Sequence, residues 1–336
     1  MENQKVKVIC LTPVRNNGNI LDRFLSAASL WADYIIVCDQ MSTDNSRLIA
    51  LRFPKVILID NPSEEYNESL RQKLLIDEAR KIDGPRLLIT LDADEIFTPN
   101  VLTSSEWQSV LSANPGTIIK FQWANFGPDL KTMWLGYHFP WGYMDDGYRH
   151  EEEKKIHSGR IPIPINHDEI NIQQIKVIHF QFTDWPLMES KHRFYQCFET
   201  LNFPSKSAVD IFRQYHHMLA IPKSQIVPIP NEWILEYSHL GIDILTVNFE
   251  TKNWFDGQTL KLIEKNGAKV FKKLNIWDVN WVEIAELWNK TNLKIYKDPR
   301  NIVDKFIQSW LLKTQTKLDK RRYRRTDRLI KYIFKY

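Results

Sequence analysis

Arg86-Leu-Leu-Ile-Thr-Leu-Asp-Ala-Asp-Glu95 is an apolar run that ends abruptly in three carboxylates. Preceded by Pro85 and made of apolar and β-branched residues, it reads as a buried strand over Leu87 to Leu91. Asp92 and Asp94 therefore emerge at its carboxyl end, the edge at which open α/β sheets bind ligands. Acids one residue apart suit a hard divalent cation, which Mg²⁺-type chemistry bridges to substrate phosphates through one or two carboxylates. The same pair also serves in a plain strand-end turn capped by Asp, so the neighbouring strands have to decide.

Working outward, the first hundred residues alternate strand-like and helix-like segments. Val6 to Thr12 is a strand ended by Pro13, and Asn19 to Trp31 carries Ile20, Phe24, Leu25, Ala28 and Trp31 at helical spacing. Tyr34 to Cys38 is the second strand. Ser42-Thr-Asp44 offers side-chain oxygens to cap a helix running through Leu51. Val56 to Ile59 forms a third strand and Glu65 to Ile82 a helix before the fourth strand. Right-handed βαβ crossovers and a mainly parallel, doubly wound sheet follow.

In that arrangement four strand ends converge on one edge: Thr12-Pro-Val-Arg-Asn16, Cys38-Asp39, Asp60-Asn61 and Leu91-Asp-Ala-Asp94. Asp39 is suited to accept from a pyrimidine N–H or a ribose hydroxyl, Asp92 to take the ribose, and Asp94 to hold a metal that neutralises a diphosphate leaving group. Arg71 is placed either to reach base or phosphate, or to pair with Glu68 or Glu78 on its own helix.

Thr12-Pro-Val-Arg-Asn16, Trp31 to Asp39, Ser42-Thr-Asp44 and Leu91 to Glu95 occur in an order and spacing that resemble the amino-terminal half of a family 2 glycosyltransferase. The nearest flavour is the bacterial lipopolysaccharide core group, and the resemblance covers residues 6 to about 100. It implies an α/β protein of the GT-A fold (Rossmann-like, a mainly parallel central sheet flanked by helices) with a helical C-terminal extension. It further implies inverting transfer of a sugar from a nucleotide-diphosphate donor. Thr12, Pro13, Val14, Arg15, Asp39, Arg71, Asp92 and Ala93 would bind the donor, and Asp94 would bind Mn²⁺ or Mg²⁺. A UDP-sugar is favoured because Asp39 suits a pyrimidine N–H. The chain departs from the family at Gln40-Met41, where an acid and a glycine are common, and at Asn17-Gly18, where a glutamate is common.

Direct displacement at an anomeric carbon needs a base for the acceptor hydroxyl, usually a carboxylate. The long aromatic and charged stretch from Trp134 to His167 reads as a binding loop. Asp145-Asp146, His150-Glu151 and His167-Asp168-Glu169 supply the candidates, of which Asp146, Asp168 and Glu169 best match the core-transferase group; each is otherwise an exposed loop acid. His179 is either a further metal ligand or a core histidine bonded to a backbone carbonyl. Trp134, Trp141, Tyr143 and Trp185 present faces for stacking on an acceptor, or pack a core.

Composition sets the remaining expectations. The 336 residues are 43% hydrophobic with 12 Trp and only 11 Gly, which suits a globular chain with a sizeable core. Cys10, Cys38 and Cys197 lack close pairing, pointing to a reducing compartment. No secretory leader or bilayer-spanning run is expected. Lys313 to Tyr336 holds ten Lys or Arg against two Asp, a local +8 within a total of +4. Interleaved with Leu312, Leu329, Ile330 and Ile333, this basic amphipathic segment suits an anionic membrane surface, with plain solvation or nucleic-acid phosphates as alternatives.

The organisation expected is a catalytic domain over 1–185 (donor half 1–100, acceptor half 101–185), a helical extension over 186–312, and a basic tail over 313–336. The protein would be cytoplasmic, peripheral on the inner face of a bacterial membrane. It would use a nucleotide-sugar donor and a glycan or lipid-linked acceptor, with no nucleic acid as partner. The rival readings are a non-catalytic scaffold of glycan assembly and a sugar-phosphate nucleotidyltransferase. The latter needs a Gly-rich loop after the first strand, where Arg15-Asn-Asn-Gly-Asn offers one Gly.

Overall fold

Four short apolar runs lie side by side in a computed structural model that describes residues 5–151, 154–249 and 252–336. The alternation that lays them down is β1 (Lys7–Val14), α1 (Leu21–Trp31), β2 (Tyr34–Asp39), α2 (Ser46–Ala50), β3 (Val56–Asp60), α3 (Glu68–Ala79) and β4 (Arg86–Thr90). Successive residues of β1 serve opposite faces: Val8 and Cys10 pack beneath α1 with Phe24 and Leu25, while Ile9 and Leu11 pack with Leu75 and Ile76 of α3. Burial on both faces is why these strands read as unbroken apolar runs rather than alternating ones.

The chain continues through β5 (Glu95–Phe97), α4 (Ser105–Leu111), β6 (Ile118–Phe126), β7 (Thr132–Met144), β8 (Glu169–His179), α5 (Trp185–Asn202), α6 (Ala208–Tyr215), β9 (Val227–Pro228), α7 (Asn231–His239), α8 (Trp254–Asn266), α9 (Trp281–Leu287), α10 (Ile302–Thr314) and α11 (Arg321–Phe334). Among the described residues these strands form one nine-stranded sheet in the order β3-β2-β1-β4-β7-β6-β8-β5, with β9 on β7. β1 to β4 are parallel, β7 runs antiparallel to β4 and β6, β8 is parallel to β6, and β5 is antiparallel to β8. The carboxyl ends of β4 and β8 therefore share one edge, and the end of β7 and the start of β8 share the other.

The stretch expected as a binding loop from Trp134 to His167 begins instead with β7, and irregular chain follows only after Met144. Gly136, Pro140 and Gly142 disguise it in the sequence. Pro140 is tolerated because the register with β6 slips between Ile119 and Lys120, a bulge at which a ladder donor is dispensable. Gly142 admits close packing, since a Cβ there would lie 2.9 Å from Cβ of Ile119 and 3.0 Å from Cδ1 of Ile89. Several helix ends also differ. Asn67, not Glu65, caps α3 by accepting from Leu70 N–H at 3.1 Å, and the helix after β2 is only Ser46–Ala50.

The chain divides into two compact units, Met1–Asp184 with Val227–Phe249, and Trp185–Ile226 with Glu250–Tyr336. Val227–Phe249 belongs to the first unit because β9 pairs with β7 and buried Tyr237 donates from its hydroxyl to the Phe97 carbonyl at 2.5 Å. In the second unit the basic C-terminal segment is not a free tail. It comprises the end of α10, a short 3-10 turn and α11, whose Ile330, together with Tyr336, packs with Val209, Phe212 and Leu311. No helix among the described residues is long and apolar enough to cross a membrane.

Candidate active site

At the carboxyl edge of β1 to β3 two connecting loops are tied to each other. Asn16 N–H donates to Ser42 Oγ at 2.9 Å, Asn16 Oδ1 accepts from Thr43 N–H at 2.7 Å, and Gly18 N–H donates to Asp44 Oδ2 at 2.8 Å. Asn16 and Met41 both adopt φ +54°. Met41 thus holds a left-handed turn, a conformation that glycine more often supplies.

Asp39 sits at the end of β2, beside Val14 and Asp60 in register and only 2% exposed. Its Oδ2 accepts from Arg47 Nη1 at 2.9 Å and Ser42 N–H at 3.3 Å, while its Oδ1 has no hydrogen-bond partner. Thr12 Oγ1, Gln40 Oε1, Asn61 Nδ2 and Gln72 Oε1 are likewise buried without partners. Buried polar atoms are nearly always satisfied; four of these five stand at the ends of β1 to β3 and the fifth on α3. The Gln40 amide donates to the Ser63 and Glu65 carbonyls at 2.9 and 2.7 Å, pinning the loop that leads to α3.

Pro13 and Val14 pair with Cys38 and Asp39 and line this edge with backbone. Burial pulls the Arg15 guanidinium down, Glu64 opposes this, and nearby Arg71 adds to it. Arg71 stands 3.8 Å from Glu68 and 4.9 Å above the Tyr66 ring, the intrahelical pairing weighed from the sequence.

The acid string lies at the end of β4. Asp92 Oδ2 accepts from Arg160 Nη2 at 2.6 Å. Arg160 Nη1 also donates to Glu95 Oε2 at 2.5 Å, and Asp92 N–H reaches that same oxygen at 2.9 Å. Trp123 Nε1 donates to Glu95 Oε1 at 2.8 Å. Burial, with the charges of Asp92 and Asp94, pushes the Glu95 carboxyl up to about 7 against the pull of Arg160. Burial disfavours the Arg160 cation, but Asp92 and Glu95 outweigh it and hold its pKa above the usual range. Ala93 is buried in the turn.

Asp94 Oδ2 lies 3.8 Å from His179 Nε2. His179 ends β8 opposite Glu95, stacks on Trp123 with centroids 4.9 Å apart, and faces Asn125 Oδ1 through Nδ1 at 2.9 Å. Its Nδ1 thus meets a side-chain amide oxygen. No group of three or more His, Cys, Asp or Glu forms a ready metal cage among the described residues. A carboxylate and an imidazole side by side fit a cation whose remaining ligands are water and substrate phosphates.

The three acids expected to supply the base are elsewhere. Asp146 follows Met144, which pairs with Leu87 at the start of β4, so it lies at the opposite edge from Asp92. There Asp146 accepts from Tyr143 Oη and from Tyr148 N–H at 2.8 Å. Asp145 is buried in ion pairs with Arg80 and Arg86 at 2.8 and 3.1 Å. Asp168 and Glu169 stand at the start of β8 on that same far edge, where the Asp168 carbonyl receives Ile118 N–H. Glu169 pairs with Lys120 at 2.6 Å and His167 at 3.1 Å, which hold its carboxyl low. With β7 and β8 recognised as long strands, simple counting of residues puts these acids a full strand length from Asp94.

Of the stacking candidates, Trp134 packs on Phe182, Trp141 lies beneath Arg160 at 5.7 Å, and Tyr143 is buried. Trp185 opens α5 in the second unit and donates to Glu189. Sequence reasoning gave no role to Glu95, Trp123, Asn125 or Arg160. Glu95 belongs to the quoted acid string and was within reach. Arg160 lies in irregular chain 65 residues beyond its partner, and no local spacing announces such a contact.

No family model matches the chain, and no curated relative matches it. Among solved structures, glucosyl-3-phosphoglycerate synthase from Mycobacterium tuberculosis, in complex with Mg²⁺ and uridine diphosphate, is 15% identical with a TM-score of 0.24. That match covers 36% of this chain and 43% of the synthase, less than half of its length. The inositol-1-phosphate CTP transferase from T. maritima is 8% identical with a TM-score of 0.32, over 52% of this chain and 89% of that one. HddC from Yersinia pseudotuberculosis is 10% identical with a TM-score of 0.29, over 52% and 93%.

Proposed function

We propose that this chain is a metal-assisted inverting glycosyltransferase of the GT-A type, taking a sugar from a nucleotide diphosphate, by preference UDP. The observation that carries the reading is the buried Asp39 Oδ1 without a partner, amid four further unsatisfied polar atoms, on the same sheet edge as the Asp94–His179 pair. In this reading Asp39 accepts the base N–H, with Thr12 to Arg15 bordering the nucleoside. Asp94 and His179 would hold the cation, which when bound would supply charge neutralisation for a diphosphate leaving group. Arg160 holds Asp92 and Glu95 in place and shields the acids from one another. Trp123 fixes the orientation of Glu95 and His179. The base is to be sought on the Asp94 edge and not among Asp146, Asp168 and Glu169. For the acceptor we favour a surface glycan or lipid-linked sugar of the lipopolysaccharide type, at the inner face of a bacterial membrane.

A nucleotidyltransferase is disfavoured because the single glycine after β1, Gly18, already gives its N–H to Asp44 and leaves no donor-rich cradle for a triphosphate. The test is calorimetric titration of UDP and UDP-sugars with and without Mn²⁺, comparing the parent with Asp94→Ala and His179→Ala. Metal-dependent binding by the parent alone is expected. Equal binding by all three proteins refutes the metal assignment, and absence of nucleotide binding in the parent favours the scaffold.

A further inference from the structure

One side of α11 is fixed and the other is open. Asp327 is held by Arg213 through hydrogen bonds of 3.0 and 2.9 Å, and Arg213 also donates to the Leu311 carbonyl at 2.6 Å. With Ile330 and Tyr336 packed on the same side, the helix is presented in a fixed rotation. At 100° per residue the opposite side carries Arg321, Arg324, Arg325 and Arg328, and these four line a concavity of about 390 Å³. Among the described residues none of the four forms an ion pair. Like charges at i, i+3 and i+4 destabilise a helix, so four in a row without acids is an arrangement that an external anion relieves.

The neighbours of these arginines identify the anion. Leu329, Tyr332 and Ile333 lie on or beside the same open side and are 55%, 86% and 56% exposed. A soluble phosphate would engage the guanidinium groups and leave this apolar surface in water. Nucleic acid would use the arginines and the Tyr332 ring but not the aliphatic pair. An anionic bilayer uses both, because arginines reach headgroup phosphates while aliphatic and aromatic side chains enter the acyl boundary.

We propose that this face of α11 docks on an anionic phospholipid bilayer, with headgroup phosphates in the arginine concavity and Leu329, Tyr332 and Ile333 inserted beside them. The surface is argued from α11 alone and rests on the reading of a lipid-linked acceptor only for the kind of membrane concerned.

The test uses the full chain and sedimentation with vesicles of phosphatidylcholine, with or without phosphatidylglycerol. The parent is expected to bind only the phosphatidylglycerol-containing vesicles. Replacing Arg321, Arg324, Arg325 and Arg328 together by Gln should weaken binding at least about a hundredfold, since each cation near an anionic surface contributes measurably. Replacing the same four by Lys keeps the charge and should retain most of the binding, which separates loss of charge from loss of folding. Leu329→Ser with Tyr332→Ser and Ile333→Ser should also weaken binding while leaving its salt dependence in place. Undiminished vesicle binding by the four-Gln variant, or by the triple-Ser variant, overturns the proposal. So does displacement of the parent from vesicles by inorganic pyrophosphate or by a duplex oligonucleotide at equal phosphate concentration. Metal-dependent UDP binding is measured on the same samples, so failure on vesicles with intact nucleotide binding refutes the docking face alone.

Discussion

Replacing Asp39 by asparagine removes a charge from the nucleotide end of the site and leaves the acid end untouched. In the parent, Oδ2 is engaged by Arg47 and Ser42 while Oδ1 is buried and unpaired. A ligand N–H that reaches Oδ1 makes a hydrogen bond to a charged acceptor, worth ~1.5–3 kcal/mol. That corresponds to roughly ten- to hundredfold in affinity. Arg47 keeps its contact to Asp60 at 2.6 Å, so the variant is expected to fold normally. Titration calorimetry with UDP and with inorganic pyrophosphate, both in Mn²⁺, separates the two ends of the ligand. UDP should bind about ten- to hundredfold more weakly to Asp39→Asn, and pyrophosphate, which has no base, should bind as it does to the parent. Unchanged UDP affinity, or an equal loss for both ligands, refutes the reasoning that Asp39 contacts the base.

Arg160→Gln leaves Glu95 buried among acids without its cation and should destabilise the first unit by ~3–5 kcal/mol; an unchanged urea midpoint would contradict the bridging role. Burial raises Glu95 in the folded state from 4.5 to about 7, so the folded protein binds that proton more tightly than the unfolded chain does. Its stabilising effect is full below about pH 4.5 and is lost as pH rises through about 7. The urea midpoint of the parent relative to Glu95→Gln should therefore fall between about pH 5 and pH 8; a rise would reverse the assignment. Asp146→Asn, Asp168→Asn and Glu169→Gln lie on the far edge and should leave kcat/KM for donor hydrolysis unchanged. Loss of activity at parental stability in any one of them would return that residue to the site.

Much of this arrangement was readable in advance, and the rest was not, for physical reasons. The order of the first four strands and the carboxyl-edge positions of Asp39, Asp92 and Asp94 follow from local periodicity alone, because a doubly wound sheet aligns consecutive parallel strand ends. β7 escaped because its glycines and its bulge-seated proline break the pattern by which strands are recognised. That one omission left the edge of Asp146, Asp168 and Glu169 unread, since a long unrecognised strand moves everything after it to the other end of the sheet. Arg160 and the Asn125–His179–Trp123 cluster depend on pairings across tens of residues, which no window of sequence contains.

The return of Val227–Phe249 to the first unit bears on how the protein can be dissected. A fragment stopped at residue 184 would lack Tyr237 and its bond to Phe97, together with Ile229, Ile242 and Ile244 of the same core. Such a fragment would expose apolar surface and precipitate. A workable excision would join residue 184 to residue 227 through an artificial bridge, so that the distant segment travels with the sheet it completes.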